Sequence, residues 1–125
     1  MPFVGRVRVI HRGATIAETT VAMSEVDSSG APLYYIPPND VATDRLALGT
    51  AKYFNEWKGV ATYWSVFTRG LLVVNAAWSY ETPRRGYAKI RGYITFDARL
   101  MDECWVDDQR VMSTRGGPDA GWVTT

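Results

Sequence analysis

Lys58 stands between a tryptophan and a glycine in Glu56-Trp57-Lys58-Gly59. Burial there would favour the neutral amine and make it a base or an imine-forming nucleophile. In the alternative, its stem covers Trp57 while its head reaches water or a carboxylate. Glu25 and Glu56 are the nearest partners by type. Asp40 follows two prolines and an asparagine, where a carboxylate commonly caps a turn. Glu25 and Asp40 therefore join Lys58 as candidate catalytic groups. Trp57, Trp64 and Trp78 with Tyr35, Tyr63 and Tyr80 are more rings than a small core needs. Each can bury on the order of 150–250 Å² as filler, or the group can wall a pocket for a small planar or cationic ligand. Asn75 can orient such a ligand through its amide or make a cross-strand hydrogen bond. His11 falls in an expected turn and is expected to face solvent. Cys104 beside Trp105 reads as a buried apolar residue, since the only histidine that could activate it is His11.

The elements that must position these groups read as strands. Val7, Val9 and Ile16 flank His11-Arg12-Gly13-Ala14, a hairpin whose glycine supplies a positive φ. Val21 and Met23 open a further strand, and Asp27-Ser28-Ser29-Gly30 is a loop. Leu33-Tyr34-Tyr35-Ile36 runs until Pro37-Pro38, which have no amide for a ladder. Between Asn39 and Gly49 the pattern weakens to a single helical turn capped by Asp40 or Thr43. Ile90 to Phe96 alternates as another strand, and Trp105 to Val111 forms a small hairpin. Gly116-Gly117-Pro118 introduces a tail ending in Gly121-Trp122-Val123. The expectation is one domain over residues 1–125, with a core over about 1–112 and a C-terminal tail, 113–125, packing on it.

The longest signal is a hairpin from Gly59 to Tyr80 with Thr68-Arg69-Gly70 as a three-residue loop. That loop pairs Phe67 with Leu71, Trp64 with Val74, Tyr63 with Asn75, Val60 with Trp78 and Lys58 with Tyr80. Val60, Thr62, Trp64, Val66, Leu72, Val74, Ala76, Trp78 and Tyr80 then share the core face. Gly59, Ala61, Tyr63, Ser65, Val73, Asn75, Ala77 and Ser79 face water or a pocket. The Lys58 cation ends over Trp78 or Tyr80, within about 6 Å of a ring.

Composition bounds the function. The chain has 125 residues, 46% of them hydrophobic, enough for one core. With 14 Lys+Arg against 13 Asp+Glu, no global field recruits nucleic acid or an anionic membrane. One cysteine and one histidine cannot make a Cys₄, Cys₂His₂ or His₃ zinc site or an internal disulfide. No cofactor is expected. The lone cysteine, the start Met-Pro-Phe-Val-Gly-Arg and the lack of a membrane-length apolar run point to the cytoplasm. There is no Gly-x-Ser-x-Gly elbow, His-Glu-x-x-His, P-loop or dinucleotide fingerprint, so the common enzyme classes lack support.

Five blocks carry a resemblance: Tyr34-Tyr35-Ile36-Pro37-Pro38-Asn39-Asp40-Val41, Glu56-Trp57-Lys58-Gly59-Val60-Ala61-Thr62-Tyr63-Trp64, Ala76-Ala77-Trp78-Ser79-Tyr80, Gly92-Tyr93-Ile94-Thr95-Phe96 and Gly121-Trp122-Val123-Thr124. In order and content they resemble the signature blocks of the domain of unknown function family 427. The resemblance implies a small all-β fold of coiled antiparallel sheets with little helix, similar to the β-tent or Mss4-like architecture. Relatives of that architecture include zinc-bearing domains and domains that hold small molecules in aromatic cages. The ligands for zinc are lacking here. Many members look like Phe-Cys-Glu-Trp-Lys-Gly where this chain reads Phe54-Asn55-Glu56-Trp57-Lys58-Gly59, so thiol chemistry at that position is absent. The family has also been catalogued under a name suggesting nucleotidyl transfer. That chemistry needs paired metal-binding carboxylates and a phosphate-cradling glycine loop. Neither an Asp-x-Asp pair nor a Gly-Ser loop ahead of one is present.

Three readings follow. The first is a metal-independent small-molecule-binding domain whose pocket, around the Glu56 to Gly59 block, is lined by Tyr35, Trp57, Tyr63, Trp64, Asn75, Trp78 and Tyr80. The second is a small cofactor-independent isomerase, lyase or cyclase using Lys58 or a carboxylate as acid or base, with Tyr63 or Asn75 stabilising an oxyanion. The third is a protein-interaction module using a sheet edge or the Trp122 tail, with a second copy of the chain as one partner.

Overall fold

Short runs of β-branched and aromatic residues, cut by two-residue turns, fold into eleven strands among the residues that the computed structural model describes: 1–27, 29–113, 115–116 and 120–124. In chain order they are β1 (Val7–His11), β2 (Ala14–Thr19), β3 (Met23–Val26), β4 (Pro32–Tyr35), β5 (Leu46–Asn55), β6 (Gly59–Thr68), β7 (Leu71–Ser79), β8 (Ile94–Phe96), β9 (Glu103–Val106), β10 (Gln109–Met112) and β11 (Val123–Thr124). They form a five-stranded sheet in the order β11-β10-β9-β1-β2, the β3–β4 hairpin, and a four-stranded sheet in the order β5-β6-β7-β8. All strand pairs are antiparallel, and the protein is an all-β domain with no closed barrel. No helix among the described residues is long and apolar enough to cross a membrane.

The core joins the sheets. Val7 and Val9 from β1, Tyr35 and Ile36 from the end of β4, and Trp78 and Tyr80 from the end of β7 are all fully buried. Ile36 exchanges two 2.8 Å backbone hydrogen bonds with Ile94, which sews the β3–β4 hairpin to β8. Pro37 then ends the pairing for want of an amide.

The β1–β2 hairpin turns on Arg12-Gly13, both at positive φ (51° and 77°). The turn is therefore tighter than expected, and β1 runs on to His11, which pairs with Ala14. The alternation that turns Val7 and Val9 inward also turns His11 inward, to 4% exposure, which corrects its expected solvent position.

The largest correction concerns the β6–β7 hairpin. Its turn is two residues, Arg69-Gly70, again both at positive φ (50° and 81°), and Thr68 pairs with Leu71. A loop one residue shorter than expected reverses the facing of one strand relative to the other. Tyr63 therefore pairs with Trp78 and Trp64 with Ala77, so Trp64 and Trp78 lie on opposite faces. A bulge adds two more residues on β7, where Val74, Asn75 and Ala76 stand against Ser65 alone. It keeps the parity that the turn sets. Val60, Leu72 and Val74, expected inside, are exposed. From Ala76 to Ser79 every residue of β7 is buried, so both faces of this central strand are covered there.

Residues 46–55, which carry no strand pattern, form the edge strand β5. Proline and basic residues then give way to a 3₁₀ segment, Arg85–Ile90, where a strand starting at Ile90 is expected, and β8 is only three residues long. Neither Asp40 nor Thr43 caps a helix. Asp40 ends the Pro38–Asp40 3₁₀ turn and Thr43 begins the next, Thr43–Arg45.

Candidate functional site

Lys58 closes the turn between β5 and β6. Asn55 Oδ1 accepts the backbone N–H groups of Trp57 and Lys58, each at 2.9 Å, which folds the chain back on itself. Gly59, at φ 109°, sends the chain into β6. A Cβ there would lie 3.5 Å from the Thr82 carbonyl. The Arg84 N–H donates to the Lys58 carbonyl at 2.9 Å and pins this turn to the segment after β7. The Lys58 side chain is thereby turned inward, and the residue is 7% exposed.

Its Nζ donates to the Tyr35 hydroxyl at 3.2 Å and lies 3.5 Å from Glu25 Oε1. The β3–β4 register, Met23 with Tyr35 and Glu25 with Leu33, places Glu25 and Tyr35 on one face as diagonal neighbours. Three rings surround the ammonium, with centroids at 5.7 Å (Tyr35), 5.8 Å (Tyr80) and 5.9 Å (Tyr87). A desolvated cation gains up to about 2 kcal/mol from such a ring. The cage of rings is thus occupied by the chain's own cation.

The structure gathers Lys58, Glu25, Tyr35 and Tyr80 and assigns other work to the remaining expected residues. Asp40 accepts the Thr19 hydroxyl at 2.7 Å. Trp78 is fully buried in the core, with the Tyr63 ring set edge-on to it at 6.4 Å. Trp64, half-buried on the other face, donates Nε1–H to Ser79 Oγ at 2.9 Å, and that hydroxyl donates to Glu81 Oε2 at 2.5 Å. Asn75 is the centre of the β7 bulge, at φ 56°. Its Oδ1 accepts the Thr50 N–H at 2.9 Å and its Nδ2 donates to Thr50 Oγ1 at 3.0 Å. A Cβ on Gly49 would overlap that Oδ1, so glycine is required there.

Trp57 is 65% exposed beyond the turn. With Tyr53, Phe54, Asn55 and Glu56 it encloses a surface depression of about 320 Å³, and the Arg84 guanidinium sits 5.8 Å over the Phe54 ring. Tyr87 is the site residue that the sequence does not single out. The one signal for it is its place just after Pro83-Arg84-Arg85-Gly86, a loop that reads as solvated.

Cys104 lies outside this constellation. Burial, reinforced by the charge of Asp97 and only partly offset by Arg110, raises its thiol pKa to about 12. Among the described residues no group of three or more His, Cys, Asp or Glu side chains could hold a metal ion.

A family model described as Domain of unknown function (DUF427) matches residues 1–107 of the chain. None of the curated proteins matches it.

Proposed function

The chain belongs to the DUF427 family, and we propose that it is a small-molecule-binding domain that anchors a planar anionic ligand at the Glu56 to Gly59 block. The observation that carries this reading is the Lys58 ammonium, buried among three tyrosine rings yet 3.5 Å from its carboxylate partner. A well-formed ammonium–carboxylate hydrogen bond is about 2.7–2.9 Å long. A ligand oxyanion that approaches more closely can take over the pairing from Glu25. The residues just before Lys58, Tyr53 to Trp57, line a surface depression, and the Arg84 guanidinium lies 5.8 Å from the Phe54 ring centroid.

The test is native mass spectrometry of the purified chain and of Lys58→Met, followed by a thermal-shift screen of aromatic carboxylates and phosphates. The expected result is a small acidic molecule retained or stabilising in the first protein and lost in the second. Equal retention by both proteins, or no ligand in either assay, counts against the reading.

A second reading, acid–base catalysis without a cofactor, is favoured by the 3.2 Å contact between Lys58 Nζ and the Tyr35 hydroxyl. A phenol beside a cation and a carboxylate can give and take a proton. Tyr35 replaces Tyr63 and Asn75 in that scheme, because the latter two are committed to Trp78 and Thr50. Under it, Tyr35→Phe abolishes turnover of an identified substrate while leaving binding intact. Unchanged turnover would remove it.

A further inference from the structure

A separate cleft of about 550 Å³ opens between the β3–β4 hairpin and the β9-β10-β11 side of the five-stranded sheet. Its volume falls in the range of small-molecule sites, roughly 300–1,000 Å³. One wall is a run of three rings. Phe3 meets Tyr34 edge-on at 4.9 Å, and Tyr34 meets Trp122 at 5.6 Å with a 47° tilt. The wall is rooted in the backbone of both sides: Trp122 donates its N–H to the Pro32 carbonyl at 2.6 Å and its Nε1–H to the Phe96 carbonyl at 3.2 Å. Val106 and Val111 supply apolar surface from the strands β9 and β10.

Asp107 is the only charged side chain among the described residues lining this cleft. Its position is fixed. It sits at φ 55° in the two-residue β9–β10 turn, donates its N–H to the Arg6 carbonyl at 2.7 Å, and accepts the Arg6 N–H on Oδ1 at 2.8 Å. Gly5 makes room for this arrangement. A Cβ there would lie 2.7 Å from both Asp107 Oδ1 and the Phe3 ring. Burial, and then the nearby Asp107 charge, raise the Tyr34 pKa, so its phenol stays protonated and available for hydrogen bonding.

We propose that this cleft binds an aromatic amine, with its ring against Phe3 and the edge of Tyr34, which the buried Trp122 backs, and its ammonium on the Asp107 carboxylate. Charge complementarity selects the class. An aromatic acid of the same shape meets a like charge at the mouth, and a neutral ring forgoes a charge-assisted hydrogen bond. The inference is independent of the Lys58 reading, since the two sites share no residue and favour ligands of opposite charge.

The test is titration of the 15N-labelled full chain with tryptamine, indole and indole-3-acetate. Tryptamine should shift amides at 30–34, 106–109 and 121–124 saturably and bind about tenfold more tightly than indole-3-acetate. Asp107→Asn keeps the Oδ1 acceptor for Arg6 and should erase that preference. Gln109→Glu adds a carboxylate to the same rim and should strengthen tryptamine binding, a readout that survives if Asp107→Asn folds poorly. The proposal is overturned if tryptamine gives no saturable shift, if indole-3-acetate binds as tightly, if Asp107→Asn keeps the preference, or if the shifts centre on residues 55–59.

Discussion

The Lys58 ammonium donates to the Tyr35 hydroxyl across 3.2 Å and joins two hairpins whose strands share no ladder. Tyr35 ends β4 in the β3–β4 hairpin, and Lys58 closes the turn between β5 and β6. This contact, with Glu25 at 3.5 Å, is a buried polar tie between the two hairpins. It carries structural consequences whether or not a ligand comes to it.

Removing the cation leaves a phenol and a carboxylate facing rings. Lys58→Met should lower unfolding free energy by about 2 kcal/mol, below the range for a fully buried pair because Glu25 retains some contact with water. Glu25→Gln should cost about half as much. Urea denaturation of the three proteins measures both. A Lys58→Met protein as stable as the parent would mean that the tie contributes nothing.

Asp27 gives the fold an acid limit. Burial pushes its pKa upward, but hydrogen bonds from the Ser29 hydroxyl and from the Gly121, Ala31 and Ser29 amides outweigh it, and the value falls from 3.8 to about 2. A depressed carboxyl stabilises the fold above its unfolded value. That contribution, about 2 kcal/mol, is therefore complete above pH 4 and is lost as pH falls towards 2. Asp27→Asn should flatten the stability profile over that window. An unchanged profile would show that the Asp27 bonds are not made in solution.

The bulge at Asn75 should be sensitive to side chain and backbone separately. Asn75→Gly keeps the positive φ but loses both bonds to Thr50, at a cost of about 1 kcal/mol. Asn75→Ala loses both bonds and adds backbone strain, for about 2 kcal/mol or more. Thermal melts should rank the parent above glycine and glycine above alanine. The reverse order of the two variants would refute the strain argument.

Cys104 should be inert in the native protein. A buried thiol with a pKa of about 12 has almost no thiolate at neutral pH. Iodoacetamide should label it only after denaturation, with intact-mass spectrometry as the readout. Rapid native labelling would contradict its placement in β9.

β1 was legible from alternation because Val7 and Val9 recur at every second residue and are buried, and β4 from the apolar run Leu33-Tyr34-Tyr35-Ile36 that Pro37 ends. The edge strand β5 was not. It buries almost nothing on either face, so no core imposed a pattern on Leu46 to Asn55. Which ring faced inward was not legible either, because a one-residue change in the Arg69-Gly70 turn decides it and the local sequence fits both turn lengths. In the candidate site, Lys58 and Tyr80 could be linked from within one hairpin. Glu25 and Tyr35 were named by chemical type, and the bridge between Ile36 and Ile94 that ties their hairpin to β8 joins residues far apart in the chain, which local periodicity does not reveal. Tyr87 lies within a 3₁₀ segment, Arg85–Ile90, that no periodicity marks.

The most direct test of the Lys58 site is a 13Cε-lysine NMR titration with benzoate, using Lys58→Met to assign the resonance. The account predicts that the Lys58 signal moves saturably, with accompanying amide shifts at 53–58 and 84–87. A Lys58 signal that stays fixed while benzoate is raised to saturation of any other site would contradict it.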